Sequence, residues 1–381
     1  MGALSLRAPR PEAQPANPYL SEIATPDDRS MLRLPGTRRA RPPSATLAMA
    51  RAAAAKVGIT RVADITQLDT VGIPTYQAIR PLSRTLSVSQ GKGMTAELAK
   101  LSAMMESIEL WHVEQPMPPV RRAASRELGD LGYSVGALAP ATPSVFHDGL
   151  PLDWLAARSM LDGAETLVPI EVVRLSLEQR TGWQPPAFFE STNGLASGNT
   201  LVEGALHALY EVIERDATTT AFRSGGELGS CIEPASLRSA LVDQLCAMLH
   251  RADVLFEVRL LPSPTGLPCF LAWVSSEDFP AEMYGFGCHL NAEIALTRAV
   301  TEAIQTRLCY ISGARDDLKL DVDGSGTKRP RIPSDQRRDV DELLVQPAQY
   351  DSVLEDLCYV VEQTAAAFGQ PPLLVDLSHP D

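Results

Sequence analysis

The sequence "AMMESIE" occupies residues 103–109, and its pattern returns as "ALYEVIE" at 208–214 and as "AVTEAIQ" at 299–305. Each copy runs Ala, two residues, Glu, one residue, Ile and a final Glu or Gln. Positions three apart on a helix share a face, so Glu106 and Glu109 project together. A pattern repeated three times in the same frame predicts three helices that present acids in the same way.

Helix start signals precede each copy. The predicted N-cap residues are Thr95, Thr200 and Asn291, which begin helices of roughly 95–114, 200–222 and 291–310. The first two helices follow glycine-rich stretches, "SQGKG" at 89–93 and "STNGLASGNT" at 191–200. A glycine-rich turn at a helix N-terminus lets backbone N–H groups face an anion. The first stretch is not a Walker A loop, because no Ser or Thr follows its lysine.

The acids of these helices stand beside apolar positions that belong to a core. Ile108 and Ile213 lie within the acidic pairs, and Glu203 is nearly in line with Glu214 on the second helix. Carboxylates clustered there repel one another and lose solvation unless a cation balances them. Two facing helices of this kind can hold more than one Mg²⁺, which prefers carboxylate and phosphate oxygens. The alternative is a solvated, acidic surface face.

Basic residues near the acids suit a ligand that carries phosphate. Lys92 stands in the first glycine-rich stretch, and Arg215, Arg298 and Arg307 follow or flank the second and third copies. For each of them the alternative is an ion pair with an internal acid or a place on the surface. The residues alone therefore predict an α/β protein that binds a nucleoside triphosphate through Mg²⁺ held by helical glutamates.

Composition restricts the class of protein. The chain has 381 residues, 45% of them hydrophobic and 21% charged, which is typical of a globular protein. A net charge of −13 argues against a nucleic-acid partner. No signal peptide is visible, and no stretch approaches the roughly 18 apolar residues of a membrane helix, so we expect a cytoplasmic protein without a membrane partner. Six singly spaced cysteines predict free thiols.

Helices and strands alternate along the chain, which predicts the α/β class. We expect a flexible segment over 1–30, a lead-in over 31–82 and one main domain over 83–381. The lead-in contains a helix capped by Ser44 and ended by Gly58. Within the main domain, a charged stretch rich in Pro and Gly predicts a mobile loop at about 313–340.

At its acidic motifs the chain resembles the YcaO family. The resemblance rests on "SQGKG" followed by "LSAMMESIE" (101–109), on "STNGLASGNTLVEGALHALYEVIERDA" (191–217) and on "RAVTEAIQTR" (298–307). It covers roughly residues 83–381. It implies an ATP-binding fold in which mixed β-sheets are packed by helices that carry repeated Glu-x-x-Glu motifs.

The resemblance also implies site residues, position by position. It makes Mg²⁺ ligands of Glu106, Glu109, Glu211 and Glu214. It places Asn199 and Glu203 at the nucleotide, and Lys92 and Arg215 at its phosphates, with Arg298 and Arg307 as further candidates. The segment "GTRR" (36–39) resembles an N-terminal phosphate-contacting element, which adds Arg39 and Thr46. No catalytic side chain is assigned.

The implied activity is activation of a peptide backbone amide by ATP and Mg²⁺. The chain looks most like stand-alone members that form thioamides beside a TfuA-type partner, acting on a precursor peptide or protein, and we expect a homodimer. Azoline formation is the second hypothesis, although the chain ends in "LSHPD" (377–381) where azoline-forming members carry a Pro-x-Pro-x-Pro tail that is absent or truncated here. A non-catalytic accessory factor for ribosomal-protein methylthiolation is the third.

Overall fold

The computed structural model describes residues 17–175, 186–223, 229–314 and 336–379. Its helices are α1 (Pro18–Ile23), α2 (Pro43–Val57), α3 (Ala96–Val113), α4 (Leu201–Arg223), α5 (Ala240–Arg251), α6 (Ala292–Ser312), α7 (Val340–Leu343) and α8 (Val353–Phe368). Its strands are β1 (Leu32–Leu34), β2 (Thr37–Arg39), β3 (Arg61–Asp64), β4 (Thr75–Ile79), β5 (Val88–Lys92), β6 (Arg121–Ala124), β7 (Pro151–Ser159), β8 (Glu165–Pro169), β9 (Ser230–Cys231), β10 (Leu255–Leu261), β11 (Cys269–Ser275), β12 (Met283–Cys288) and β13 (Leu373–Leu374). The predicted α/β class is confirmed.

A helix, three antiparallel strands and a second helix follow one another twice in the chain. The first unit is α2, β3, β4, β5 and α3, and the second is α5, β10, β11, β12 and α6. In both units the last strand lies at the edge of its sheet and packs against the helix that follows it. The first and third copies of the acidic motif therefore lie on equivalent helices.

Glycines allow the close contact between strand and helix in both units. A Cβ added to Gly91 in β5 would lie 2.0 Å from the backbone nitrogen of Ala103 in α3. A Cβ added to Gly287 in β12 would lie 2.0 Å from the backbone oxygen of Ala295 in α6. No side chain fits such a gap. The prediction of a glycine-rich turn at 89–93 is therefore wrong, since most of this stretch is strand β5 and its glycine serves packing.

Helix α4 carries the second copy of the motif, and a loop rather than a strand leads into it. The helix packs against α8 and β12. Its predicted N-cap is confirmed, because Thr200 accepts a hydrogen bond from the backbone N–H of Glu203 at 3.0 Å. Thr95 and Asn291 cap α3 and α6 in the same way. Ser44 does not cap α2, which begins one residue earlier at a proline suited to the first helical position.

Residues 17–30 are packed, so the prediction of a flexible segment over 1–30 is wrong for this part. Leu20 in α1 is fully buried in the core cluster that contains α4 and α8. Asp28 is also fully buried and accepts hydrogen bonds from Thr25 and from the hydroxyl of Thr200. Residues 1–16 lie outside the described residues. So do residues 315–335, which make up most of the mobile loop predicted at about 313–340.

The predicted boundary between the lead-in and the main domain cuts through one sheet. Strands β3 and β4 precede residue 83, yet β4 pairs with β5 along its whole length. A further sheet is formed by β6, β7, β8 and β13. Strand pairs within the sheets are antiparallel, and an isolated parallel bridge joins Ile232 to Arg338. None of the helices in the described ranges combines the length and the apolar composition required to span a bilayer.

Candidate functional site

A cavity of about 610 Å³ lies where α3, α4 and α6 meet, and β2, the start of α2 and the loop before α4 complete its wall. Of the twelve site residues that the sequence predicts, eleven line this cavity. They are Arg39, Thr46, Lys92, Glu106, Glu109, Asn199, Glu203, Glu211, Glu214, Arg215 and Arg298. Residues from four separate parts of the sequence thus converge on one space.

Arg307 is not among the lining residues. Its guanidinium is buried and donates hydrogen bonds to Asp69 at 2.9 Å and to the hydroxyl of Ser276 at 2.9 Å. The same group lies 5.2 Å from the ring centroid of Phe279. We therefore correct the prediction for Arg307, because an ion pair with an internal acid satisfies its charge away from the cavity.

Edge strands hold three of the acids in place. The backbone N–H of Gln90 in β5 donates to Glu106 at 3.3 Å. In β12, the N–H of Phe286 donates to Glu302 at 3.3 Å and that of Cys288 donates to Glu214 at 3.0 Å. An edge strand has N–H groups that no neighbouring strand uses, and here the acids accept from them. Each of these three acids is therefore held in part by a fixed backbone group.

Burial raises the pKa of three acids in the cavity. The pKa of Glu109 is raised to about 8, first by burial and then by the charge of Glu106. The pKa values of Glu211 and Glu214 are both raised to about 7, again mainly by burial. For Glu214 the charge of Glu302 adds to the effect. Crowded, desolvated carboxylates of this kind are stabilised by a nearby cation.

Cations stand opposite these acids. Lys92 lies 2.6 Å from Glu302, whose pKa burial would raise but the charge and hydrogen bond of Lys92 lower. Arg215 lies 3.8 Å from Glu211 on the next turn of α4. The Nε of Arg298 is buried and has no hydrogen-bond partner in the part of the chain that the structure describes. The cavity therefore has positive groups available to an anionic ligand.

A hydrogen-bonded group closes the side of the cavity next to β2. Glu203 accepts from the backbone N–H of Ala40 at 2.7 Å and from the side-chain amide of Asn199 at 3.1 Å. The hydroxyl of Thr46 lies 2.6 Å from the amide oxygen of Asn199. Arg39 contacts His207 and lies 3.9 Å from Glu203. This group joins the lead-in to the start of α4.

The acids fit a cation that shares its coordination with a ligand. Among the described residues, no group of three or more His, Cys, Asp or Glu is arranged so that it could hold a metal ion unaided. Mg²⁺ is commonly held by one or two carboxylates together with waters and phosphate oxygens, so it does not require a complete protein cage. Oxygen donors with raised pKa values beside cationic side chains suit Mg²⁺ bound together with a polyphosphate.

The structure adds two residues that the motifs do not identify as site residues. Glu302 comes from the third copy of the motif and lies in the cavity beside Lys92. His207 stands one turn after Glu203 on α4 and also lines the cavity. The repeat itself was a usable signal for Glu302, since it occupies the position of Glu106. Nothing in the sequence pattern distinguishes His207.

A family model and several relatives match this chain over most of its length. The family model described as YcaO cyclodehydratase, ATP- and Mg²⁺-binding, matches residues 90–381. An uncharacterised protein of Mycobacterium tuberculosis is 39% identical over 297 residues, which is 78% of this chain and 67% of the relative. An uncharacterised protein from the tfuA 3′ region of Rhizobium leguminosarum bv. trifolii is 32% identical over 376 residues, covering 90% of this chain and 85% of the relative.

Solved structures share the fold. YcaO from Methanopyrus kandleri bound with AMPPCP and Mg²⁺ has a TM-score of 0.71 and 23% identity, covering 92% of this chain and 91% of that one. A heterocyclase in complex with substrate and cofactor has a TM-score of 0.74 and 21% identity, covering 93% of this chain. This chain spans 53% of that heterocyclase. The family match, the relatives and the fold agree: the chain belongs to the YcaO family, whose members are described as ATP- and Mg²⁺-binding cyclodehydratases.

Proposed function

We propose that this protein uses ATP and Mg²⁺ to activate a backbone amide of a peptide. The observation that carries the proposal is the cavity itself, in which six glutamates, four arginines and one lysine converge. In-line transfer of a phosphoryl group needs positioning and charge stabilisation more than covalent help from the protein. The arrangement of acids and cations supports this chemistry better than hydrolysis by a nucleophilic side chain.

Residues of the cavity divide into three roles. Carboxylates hold Mg²⁺, cations hold the phosphates, and the group beside β2 holds the rest of the nucleotide. The Mg²⁺ ligands are Glu106, Glu109, Glu211 and Glu214. The phosphate-binding residues are Arg39, Thr46, Lys92, Arg215 and Arg298. The nucleotide contacts are Asn199 and Glu203. Bound Mg²⁺ would neutralise phosphate charge and relieve the repulsion among the acids.

The amide oxygen of the peptide is the nucleophile of the first step. It attacks the terminal phosphorus of ATP, and the bond from that phosphorus to ADP breaks. In the second step sulfide adds to the activated carbon. Phosphate then leaves with the former amide oxygen, and a thioamide remains. Sulfide and the peptide come from outside the chain, so the cavity has to admit both.

Thioamide formation beside a TfuA-type partner is the specific activity that we propose. It is supported by the relative from the tfuA 3′ region, because that similarity extends over 90% of this chain. The family description favours a second candidate, since cyclodehydratases join a Cys, Ser or Thr side chain to the activated carbon. Mass spectrometry of the peptide separates the two, because a thioamide exchanges oxygen for sulfur and an azoline loses one water.

ATP consumption tests the proposal. We expect the purified protein, with a candidate peptide and partner, to convert ATP to ADP and phosphate, and Glu106→Gln or Glu214→Gln to abolish this turnover. Glu97→Gln is the matched control, since Glu97 lies on the same helix as Glu106 but is exposed and outside the cavity. ATP that binds without turnover would indicate an accessory factor. Absent binding, with variants equal to wild type, would rule out the proposed function.

A further inference from the structure

His207 occupies an unusual position for a histidine, between a carbonyl oxygen and a guanidinium. Its Nδ1 lies 3.4 Å from the backbone oxygen of Ser197, and its Nε2 contacts Nη1 of Arg39. A carbonyl oxygen only accepts, so Nδ1 carries the proton. Arginine only donates, so Nε2 supplies its lone pair to Arg39. Both neighbours therefore select the same neutral tautomer.

The surroundings keep this imidazole neutral. The pKa of His207 is held well below its ordinary value, first by burial and then by the charges of Arg39 and Arg298. His289 is a third nearby group whose charge acts in the same direction. A neutral imidazole is the form that can accept from a cation, so the tautomer suits the contact with Arg39.

The other described partners of the Arg39 guanidinium are a backbone oxygen and a more distant carboxylate. It donates to the backbone oxygen of Arg38 at 3.2 Å and lies 3.9 Å from Glu203, beyond hydrogen-bond distance. The oxygens of Glu203 already accept from Ala40 and Asn199. Among the described contacts of the Arg39 guanidinium, only the one with His207 is a hydrogen bond to another side chain. The imidazole is thus the side chain that orients the guanidinium in the cavity.

We infer that His207 is a positioning residue, which orients Arg39 toward the phosphates of the nucleotide without contacting the reacting atoms itself. This rests on the proposed function, because it assigns Arg39 to phosphate binding. A positioning role through one partner makes a specific demand: removing His207 must be harmful only while Arg39 is present.

A double-mutant cycle tests this demand. We expect His207→Phe, which keeps a ring and removes the acceptor, to weaken binding of a non-hydrolysable ATP analogue with Mg²⁺ about tenfold, the loss expected for one hydrogen bond to a charged group. His207→Gln places an amide oxygen near the former Nε2 and should restore most of the affinity. In an Arg39→Ala background, His207→Phe should cause no further loss.

Calorimetry of the purified full chain gives the affinities, and thermal unfolding checks that each variant is folded. Equal affinity of wild type and His207→Phe would overturn the inference while leaving the proposed function intact. So would an unchanged tenfold loss in the Arg39→Ala background, because His207 would then act without Arg39. Absence of any analogue binding by wild type would overturn the proposed function, and the inference with it. His250→Phe is the control, since His250 is exposed and outside the cavity.

Discussion

The glutamates of the cavity do not share one protonation state. Burial raises the pKa of Glu109 to about 8, whereas Lys92 lowers the pKa of Glu302 in the same space. The negative charge of Glu302 is thus balanced by Lys92 within the protein. Glu109 needs an external cation to be ionised near neutral pH. The ammonium of Lys92 has three donors, so it can bind a phosphate while it keeps its contact with Glu302. The two residues are 210 positions apart, which is why no local pattern revealed their pairing.

The pH dependence of stability follows from the raised pKa values. Between pH 4.5 and about 8 the folded nucleotide-free protein binds more protons at Glu109 than the unfolded chain does. Its free energy of unfolding therefore falls as the pH rises through this range. Glu109→Gln should remove this component and raise the melting temperature at pH 8 by roughly 2 °C or more, with little effect at pH 5.

Thermal unfolding at both pH values, with and without Mg²⁺ and an ATP analogue, provides the measurement. We expect the ligands to stabilise wild type more at pH 8 than at pH 5. Glu97→Gln, on the exposed side of α3, should leave the pH dependence of wild type unchanged. A Glu109→Gln protein with the same pH dependence as wild type would contradict the assignment of the raised pKa.

At the scale of elements, the sequence predicted helices better than strands. The N-caps Thr95, Thr200 and Asn291 placed α3, α4 and α6 to within two residues at either end. Strands β5 and β12 escaped prediction, because the glycines at their helix contacts are depleted in strands and are typical of turns. The close packing depends on a strand and its helix together, so the sequence of neither segment predicts it alone.

Packing of β5 on α3 can be tested at its glycine. Gly91→Ala should lower the free energy of unfolding by about 3 kcal/mol or more, or prevent folding, because the new Cβ would lie 2.0 Å from backbone of α3. Gly129→Ala is the matched control, since a Cβ there meets nothing within 4 Å. Chemical denaturation measures both. Equal stability of the two variants would show that β5 can move away from α3 at low cost.

Over the whole molecule, the lead-in and the main domain form one structure. Arg39 and Thr46 come from the lead-in and complete a cavity whose acids come from α3, α4 and α6. The buried carboxylate of Asp28 accepts a hydrogen bond from the hydroxyl of Thr200, which is the N-cap residue of α4. Composition suggested flexibility because the start of the chain is rich in Pro, Ala and Arg. A single buried leucine, Leu20, is too weak a pattern in the sequence to predict that this segment is packed.

Docking of the N-terminal segment has a measurable energy. Leu20→Ala should destabilise the protein by about 2–5 kcal/mol, as expected for a fully buried leucine. Glu22→Ala, two residues later in α1 and exposed, should change stability by less than about 0.5 kcal/mol. Denaturant titration followed by circular dichroism compares them. If Leu20→Ala were as stable as Glu22→Ala, α1 would contribute nothing to the core.

The backbone contacts of the acids have a consequence for the choice of variants. Glu106, Glu214 and Glu302 accept from N–H groups at two sheet edges beside the cavity. Replacing one of these acids by alanine leaves an N–H group without this acceptor, which lowers stability. Glutamine still offers an oxygen to the same N–H group. The glutamine variants therefore separate the loss of negative charge from the loss of a backbone contact.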